Sequence, residues 1–166
     1  MSRAISQFAA RIELIRRLPK RLRTRIFLEI FAAGSPEERQ AAATELLELA
    51  VDAAQALERD RVIPPPDWSR RPLSAAWEKV TARSRSARRA EAQQALRAAT
   101  IASGALDEAG AQALGTLLSG RVEIVGDLAR EEDPASRLAA ARVALLTQSP
   151  RLGEAVGSLV GDQDRE

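Results

Sequence analysis

Three consecutive prolines, Pro64 to Pro66, set the first limit on how this chain can fold. Each proline fixes its own φ, removes a backbone donor and pushes the residue before it out of the helical region. The run therefore favours extended polyproline II, and the segment Val62-Ile63-Pro64-Pro65-Pro66-Asp67-Trp68 is predicted to be non-helical. Residues 61–72 then form a stiff connector that divides the 166 residues into a three-helix unit, 1–60, and a helical unit, 73–160, packed on it, with a polar tail at 161–166. Trp68 and Trp77 flank the connector, and Trp68 is expected to anchor it to the helices; the other use of a proline run beside Trp is as a ligand for a proline-reading domain.

On both sides of the connector the apolar residues keep helical spacing. Ile5, Phe8, Ile12 and Ile15 recur at steps of three and four, which predicts a helix over about 2–18, ending before Pro19. A second is expected at 20–33, with Leu22, Ile26, Phe27, Ile30 and Phe31 apolar around much of its circumference and Gly34 placed to stop it. Ser35-Pro36-Glu37-Glu38 reads as an N-cap, a proline at the first helical position and a capping-box glutamate. The third helix follows over 36–59, with Leu46, Leu47, Ala50, Val51, Ala54 and Leu57 inward. Further helices fit 73–82, 86–102, 107–119, 121–131, 134–148 after an Asp133 cap, and 150–160. Composition agrees, since alanine supplies 33 residues and leucine 20, against 8 each of valine and isoleucine and 5 aromatics. Alanine and leucine favour helix over sheet. The expected fold class is all-α, with seven to eight short helices.

Histidine, cysteine and tyrosine are absent. That excludes disulfides, thiolate nucleophiles, imidazole bases and Cys- or His-ligated metals. Only carboxylates, hydroxyls, Lys20 and Lys79 remain for polar chemistry. Glu45, Glu48 and Asp52 share one helix face at spacings that suit a divalent ion or an acid/base pair, but a solvated face is the simpler reading. Glu131, Glu132 and Asp133 read as helix-end and cap chemistry. Gly110, Gly115, Gly120 and Gly126 fit no phosphate loop and are expected to allow close helix packing. No catalytic, cofactor or metal site is expected, so the chain is read as a non-enzyme. No run of about 18 apolar residues predicts a membrane span. The N-terminus is Arg-rich and amphipathic like a mitochondrial presequence, but its apolar pattern continues into the next helix, so a cytoplasmic protein is expected.

An offset of 49 residues brings three segments into register without gaps. Ser35, Ser84 and Asp133 coincide as N-caps, and Arg39, Arg88 and Arg137 fall four positions later. Ala41/Ala90/Ala139, Ala43/Ala92/Ala141 and Leu47/Leu96/Leu145 follow, while Glu29, Glu78 and Asp127 align on the preceding helix. Each unit reads as an apolar helix with one acid, a turn, a cap and then R-x-A-x-A-x-x-x-L. The pattern resembles HEAT or armadillo repeats, with Asp133-Pro134-Ala135-Ser136-Arg137 the nearest stretch. It covers roughly 26–47, 75–96 and 124–145, and departs from the family pattern at Arg85, where the other two units have proline. The resemblance implies a compact solenoid-like stack of three imperfect hairpins, in which Arg39, Arg88 and Arg137 bridge to Glu29, Glu78 and Asp127. A non-repetitive helical bundle is the competing arrangement.

The net charge of +2 conceals segregation along the chain. Residues 1–25 carry +7, 26–62 carry −5, 63–100 carry +5 and 101–166 carry −5. Arg16, Arg17, Lys20, Arg21, Arg23 and Arg25 crowd one turn, and the last four sit at a helix start where the macrodipole is already positive. Such a cluster suits phosphates or carboxylates, or is neutralised by the acidic third helix, Glu37 to Asp52, or across a dimer. Arg83, Arg85, Arg88 and Arg89, with Arg70 and Arg71 before them, form a second basic stretch. Neither has aromatic residues for stacking, so contact with a nucleic-acid backbone is the most they support. The expected function is a small interaction module or accessory subunit of a larger assembly. It would bind a protein partner, or itself, through helix faces. The alternative is a sequence-nonspecific nucleic-acid-backbone binder, a ribonucleoprotein or DNA-processing subunit, using Arg16, Arg17, Lys20, Arg21, Arg23, Arg25, Arg83, Arg85 and Arg89.

Overall fold

The computed structural model describes residues 2–62, 74–147 and 149–163. Among these the secondary structure is entirely helical: α1 (Ser2–Arg16), α2 (Lys20–Ala33), α3 (Pro36–Val62), α4 (Ser74–Ile101), a 3-10 turn (Ala102–Ala105), α5 (Glu108–Ser119), α6 (Val122–Ala129), α7 (Pro134–Thr147) and α8 (Pro150–Gln163). The all-α fold with eight short helices is as the sequence predicts. The prolines, the position of Trp68, and Arg70 and Arg71 lie outside the described residues, as do the side chains of Trp77, Glu78 and Lys79.

Helix boundaries follow local chemistry. The Ser35 hydroxyl accepts from the Glu38 backbone N–H at 3.3 Å while the Glu38 carboxylate accepts from the Ser35 N–H at 2.9 Å, a complete capping box at the head of α3. Asp107 caps α5 by accepting from Gly110 N–H at 2.8 Å. Asp133 caps α7, accepting from the backbone of Ala135 and Ser136 and from the Ser136 hydroxyl. α3 runs on to Val62 rather than stopping near 59, and so takes in the first two positions of the expected connector, because the restriction imposed by Pro64 falls on Ile63 and leaves Val62 free to be helical. At the other end, α8 runs to Gln163, three residues past its expected stop at 160.

The predicted break between helices at 73–82 and 86–102 does not occur: α4 is one helix of 28 residues. Ser84 is a good cap residue, but no glycine or proline stands between Ser74 and Ile101 to end the preceding helix. Its hydroxyl instead accepts from Arg88 one turn later, at 3.0 Å. The middle of the three aligned units is therefore a single helix and not a hairpin.

α3 lies at the centre, packed most extensively on α4 and α2, while α6, α7 and α8 pack together on the C-terminal side. Buried alanines line the α3–α4 contact, among them Ala42, Ala43 and Ala50 on α3 and Ala92, Ala95 and Ala99 on α4. Small side chains let two long helices approach closely, and Phe27, Leu46, Leu96, Leu114, Leu118, Leu128 and Leu152 are among the largest fully buried side chains of the core. On α3, Leu46, Ala50 and Ala54 are buried, whereas Leu47, Val51 and Leu57 are only half-buried. On α2, Phe27 and Ile30 are buried but Leu22 is 48 % exposed, so that helix is less central than its apolar circumference suggests. Gly115 meets the packing expectation, since a Cβ there would overlap the Thr147 side chain of α7. Gly120 has open surroundings, whereas a Cβ at the buried Gly126 would meet only the Arg130 side chain, in ordinary contact at 3.6 Å.

Candidate functional site

The two basic clusters are treated differently by the fold. In the first, Arg16 at the end of α1 reaches across to α3, where its Nε donates to both Glu45 oxygens at 3.1 Å. It also pairs with Glu13 at 2.8 Å and lies 3.8 Å from Glu48. The Glu45 side chain is only 9 % exposed, and these carboxylates hold the guanidinium pKa above its already high ordinary value, through the Glu45 hydrogen bond first and then its charge. Lys20 pairs with Asp52 at 3.4 Å and Arg25 with Glu29 at 3.1 Å. Of the three acids, Glu45 is buried against Arg16, whereas Glu48 and Asp52 stay on the solvated face, 63 and 60 % exposed, while lying within ion-pair distance of Arg16 and Lys20. No group of acidic residues suited to a metal ion is found among the described residues.

Arg17 and Arg21 are exposed and make no ion pair among the described residues. Arg23 is half-buried, and its Nε has no hydrogen-bond partner. Arg83, Arg85 and Arg89 are likewise exposed on α4 with no ion pair among the described residues. Among the described residues the two clusters meet where Lys20 and Arg88 line a common cleft of about 250 Å³ between α2, α3 and α4, together with Glu91. Beyond it, Arg85 and Arg89 face a larger cleft of about 490 Å³ whose opposite wall is the turn between α5 and α6, with Gly120, Arg121 and Glu123. Arg121 was not part of the sequence expectation, because nothing local marks it; only the docking of α6 against α4 brings it there.

Two of the aligned arginines, Arg39 and Arg137, make a contact other than the predicted one. Arg39 Nε donates to the Gly34 carbonyl at 2.9 Å, and Arg137 donates to the Glu131 and Glu132 carbonyls at 2.9 and 2.8 Å. Glu29 is taken by Arg25, and Asp127 lies 3.6 Å from Arg130. Each of these two arginines closes the turn before its own helix, neutralising carbonyls that the preceding helix or turn leaves unsatisfied. Arg88, inside α4, donates to the Ser84 hydroxyl, and its predicted pairing with Glu78 falls outside the described residues. The aligned leucines also diverge. Leu96 is fully buried, Leu47 half-buried and Leu145 is 77 % exposed.

That last value exposes a feature the repeat reading missed. Leu138, Leu145 and Leu146 on α7 are 52, 77 and 55 % exposed, while Ala139, Ala140, Val143 and Ala144 face the core. α7 therefore buries its small residues and presents its large ones. The signal was present in the sequence, since Leu138 and Leu145 are seven apart and share a face distinct from that of Val143. A smaller patch, Leu14, Leu18 and Leu22, is 64, 37 and 48 % exposed beside the first basic cluster. No helix among the described residues is long and apolar enough to cross a membrane. Comparisons of the chain with family models, with curated proteins and with solved structures found no match.

Proposed function

We propose that this chain is a small, non-enzymatic, cytoplasmic interaction module that binds a protein partner through the outer face of α7. The observation that carries the reading is the inverted burial of that helix, with Leu145 at 77 % exposure and Leu138 and Leu146 above half, while alanines occupy the core side. Large apolar side chains grouped on one exposed helix face mark interaction surfaces more often than single exposed leucines do. The absorption of Arg16 and Lys20 by α3 supports the same reading, because it leaves the first basic cluster with less charge for a polyanion.

The test is the double substitution Leu138→Glu/Leu145→Glu, at positions exposed enough to leave folding intact. Sedimentation over a concentration series would follow self-association, and affinity capture from the cells that make the protein would follow other partners. The expected result is an association present with the parent chain and lost in the variant at an unchanged unfolding midpoint. An association that survives both substitutions unchanged overturns the reading.

A second reading has its own support. Lys20 and Arg88 share a cleft, so the two basic clusters touch at that point; Arg17, Arg21, Arg83, Arg85 and Arg89 are exposed and make no ion pair among the described residues. This arrangement suits contact with a nucleic-acid backbone. Duplex and single-strand binding across a salt series, with Arg21→Ala and Arg89→Ala, tests it; a steep, sequence-independent salt dependence weakened by both changes is the supporting outcome.

A further inference from the structure

The cleft between α4 and the α5–α6 turn has no part in the α7 reading, and its chemistry is specific enough to name a ligand class. Arg85 and Arg89 stand one turn apart on α4, so their guanidiniums leave from the same face and repel one another. Neither has a hydrogen bond or ion pair among the described residues to offset that repulsion. Across the cleft, Arg121 is fixed in place: its Nη1 donates to the Leu117 carbonyl at 2.9 Å, its Nη2 lies 3.5 Å from Glu58, and the side chain is 18 % exposed. A held guanidinium thus faces two unoccupied ones over a concavity of about 490 Å³, within the size range of small-ligand sites.

The acids nearby do not cancel this charge. Glu58 already engages Arg121 from the rim, and Glu123 lies in the first turn of α6, where it complements that helix's own dipole. Among the described residues, three guanidiniums against these two carboxylates leave the cleft cationic. Arginine forks match the oxygens of a phosphate in two-point contacts, and the dianionic monoester suits two free guanidiniums better than a single carboxylate does. Apolar surface comes from Leu57, Leu96 and Ile124. None of these is aromatic, so a nucleobase finds no stacking platform, whereas a short aliphatic chain finds a surface to cover.

We propose that this cleft binds a small alkyl phosphomonoester, its phosphate held by Arg85, Arg89 and Arg121 and its aliphatic part laid on Leu57 and Ile124. The test uses inorganic phosphate and butyl phosphate as probes, followed by calorimetry and by the backbone amide resonances of Gly120 and Gln93, which line the cleft. Butyl phosphate is expected to bind one-to-one and to shift both amides, with inorganic phosphate weaker by about tenfold for want of the aliphatic contact. Arg85→Gln/Arg89→Gln should weaken butyl phosphate by at least about tenfold with an unfolding midpoint no lower than the parent's, and Glu123→Gln should tighten it. Arg83→Gln should leave it unchanged. The proposal is overturned if neither amide moves, or if Arg83→Gln costs as much as the pair, which would mean diffuse attraction to a basic surface. Leu138→Glu/Leu145→Glu is expected to leave this binding intact, so failure of the α7 reading and failure of this one are separately visible.

Discussion

Two basic clusters of similar composition reach opposite ends in this fold, and the difference lies in what stands across from them. Arg16 and Lys20 meet Glu45, Glu48 and Asp52, which α3 presents along the stripe that faces the α1–α2 turn. Arg85 and Arg89 meet a turn whose nearest residues include a third arginine. A charge cluster read along a sequence therefore says little until the register of the opposing helix is known. Arg16 and Lys20 act as a latch that ties the α1–α2 turn to α3, while Arg17 and Arg21 of the same cluster stay exposed and Arg85 and Arg89 are left as an open surface. If this contrast is real, removing a member of the first should cost stability, and removing members of the second should cost binding alone.

Arg16→Ala is expected to give the largest effect. It leaves the Glu45 carboxylate, 9 % exposed, without its counter-charge. Breaking a fully buried pair costs about 3–5 kcal/mol, and the 41 % exposure of the Arg16 side chain lowers the expectation here to about 2 kcal/mol, read from urea unfolding. A loss below about 0.5 kcal/mol would show that water already serves Glu45 and that the latch is ornamental.

Next comes Arg137→Ala, expected to cost about 1 kcal/mol because it frees two turn carbonyls that remain partly within reach of water. The same turn carries an acid dependence. Hydrogen bonds from the Ser136 hydroxyl first, then from the Ala135 amide, hold the Asp133 carboxyl below its ordinary value of 3.8. The Glu37 carboxyl is similarly held down, by its own backbone N–H and then by Ser35. Both groups stabilise the fold above the carboxylate's unfolded value, and that contribution disappears as pH falls through the lower folded value. Unfolding midpoints followed downward from pH 5 should fall less steeply in Asp133→Asn than in the parent chain. Equal slopes would remove Asp133 from the account.

How much of this was legible in the sequence follows from the range of the interactions. The caps at Ser35, Asp107 and Asp133 depend on residues two or three apart, so they could be read directly. The unbroken α4 could have been read as well, had the absence of a breaker been weighed above the cap-like Ser84. What Arg39 and Arg137 hold was misjudged, because a carbonyl at the end of a turn is invisible to a reading that matches arginines with acids. Arg121 in the second cleft was beyond local reasoning, since its place is decided by how α6 docks on helices far away in sequence; the shared face of Leu138 and Leu145 was legible in their spacing, but that this face turns outward depends on how α7 docks. The aligned alanines show the same limit: Ala90 is exposed, Ala41 half-buried and Ala139 buried, so shared letters did not carry shared environments.

Lys20→Ala sharpens the comparison further, with an expected loss of about 0.5 kcal/mol, since both partners of its 3.4 Å pair are 43 and 60 % exposed. That loss should shrink as salt is added, because screening weakens an exposed attraction. The smallest effect is expected from Arg85→Gln/Arg89→Gln. Removing two like charges at i and i+4 should leave stability within about 0.5 kcal/mol of the parent, and on the stabilising side, because a repulsion is relieved and no described bond is lost. Here added salt should bring parent and variant closer by strengthening the parent. Opposite salt trends at Lys20 and at Arg85/Arg89 would separate a cluster that serves the fold from one that the fold leaves open. A stability loss at Arg85/Arg89 comparable to that at Lys20 would mean that the second cluster also serves a structural contact, and the contrast between the two would fail.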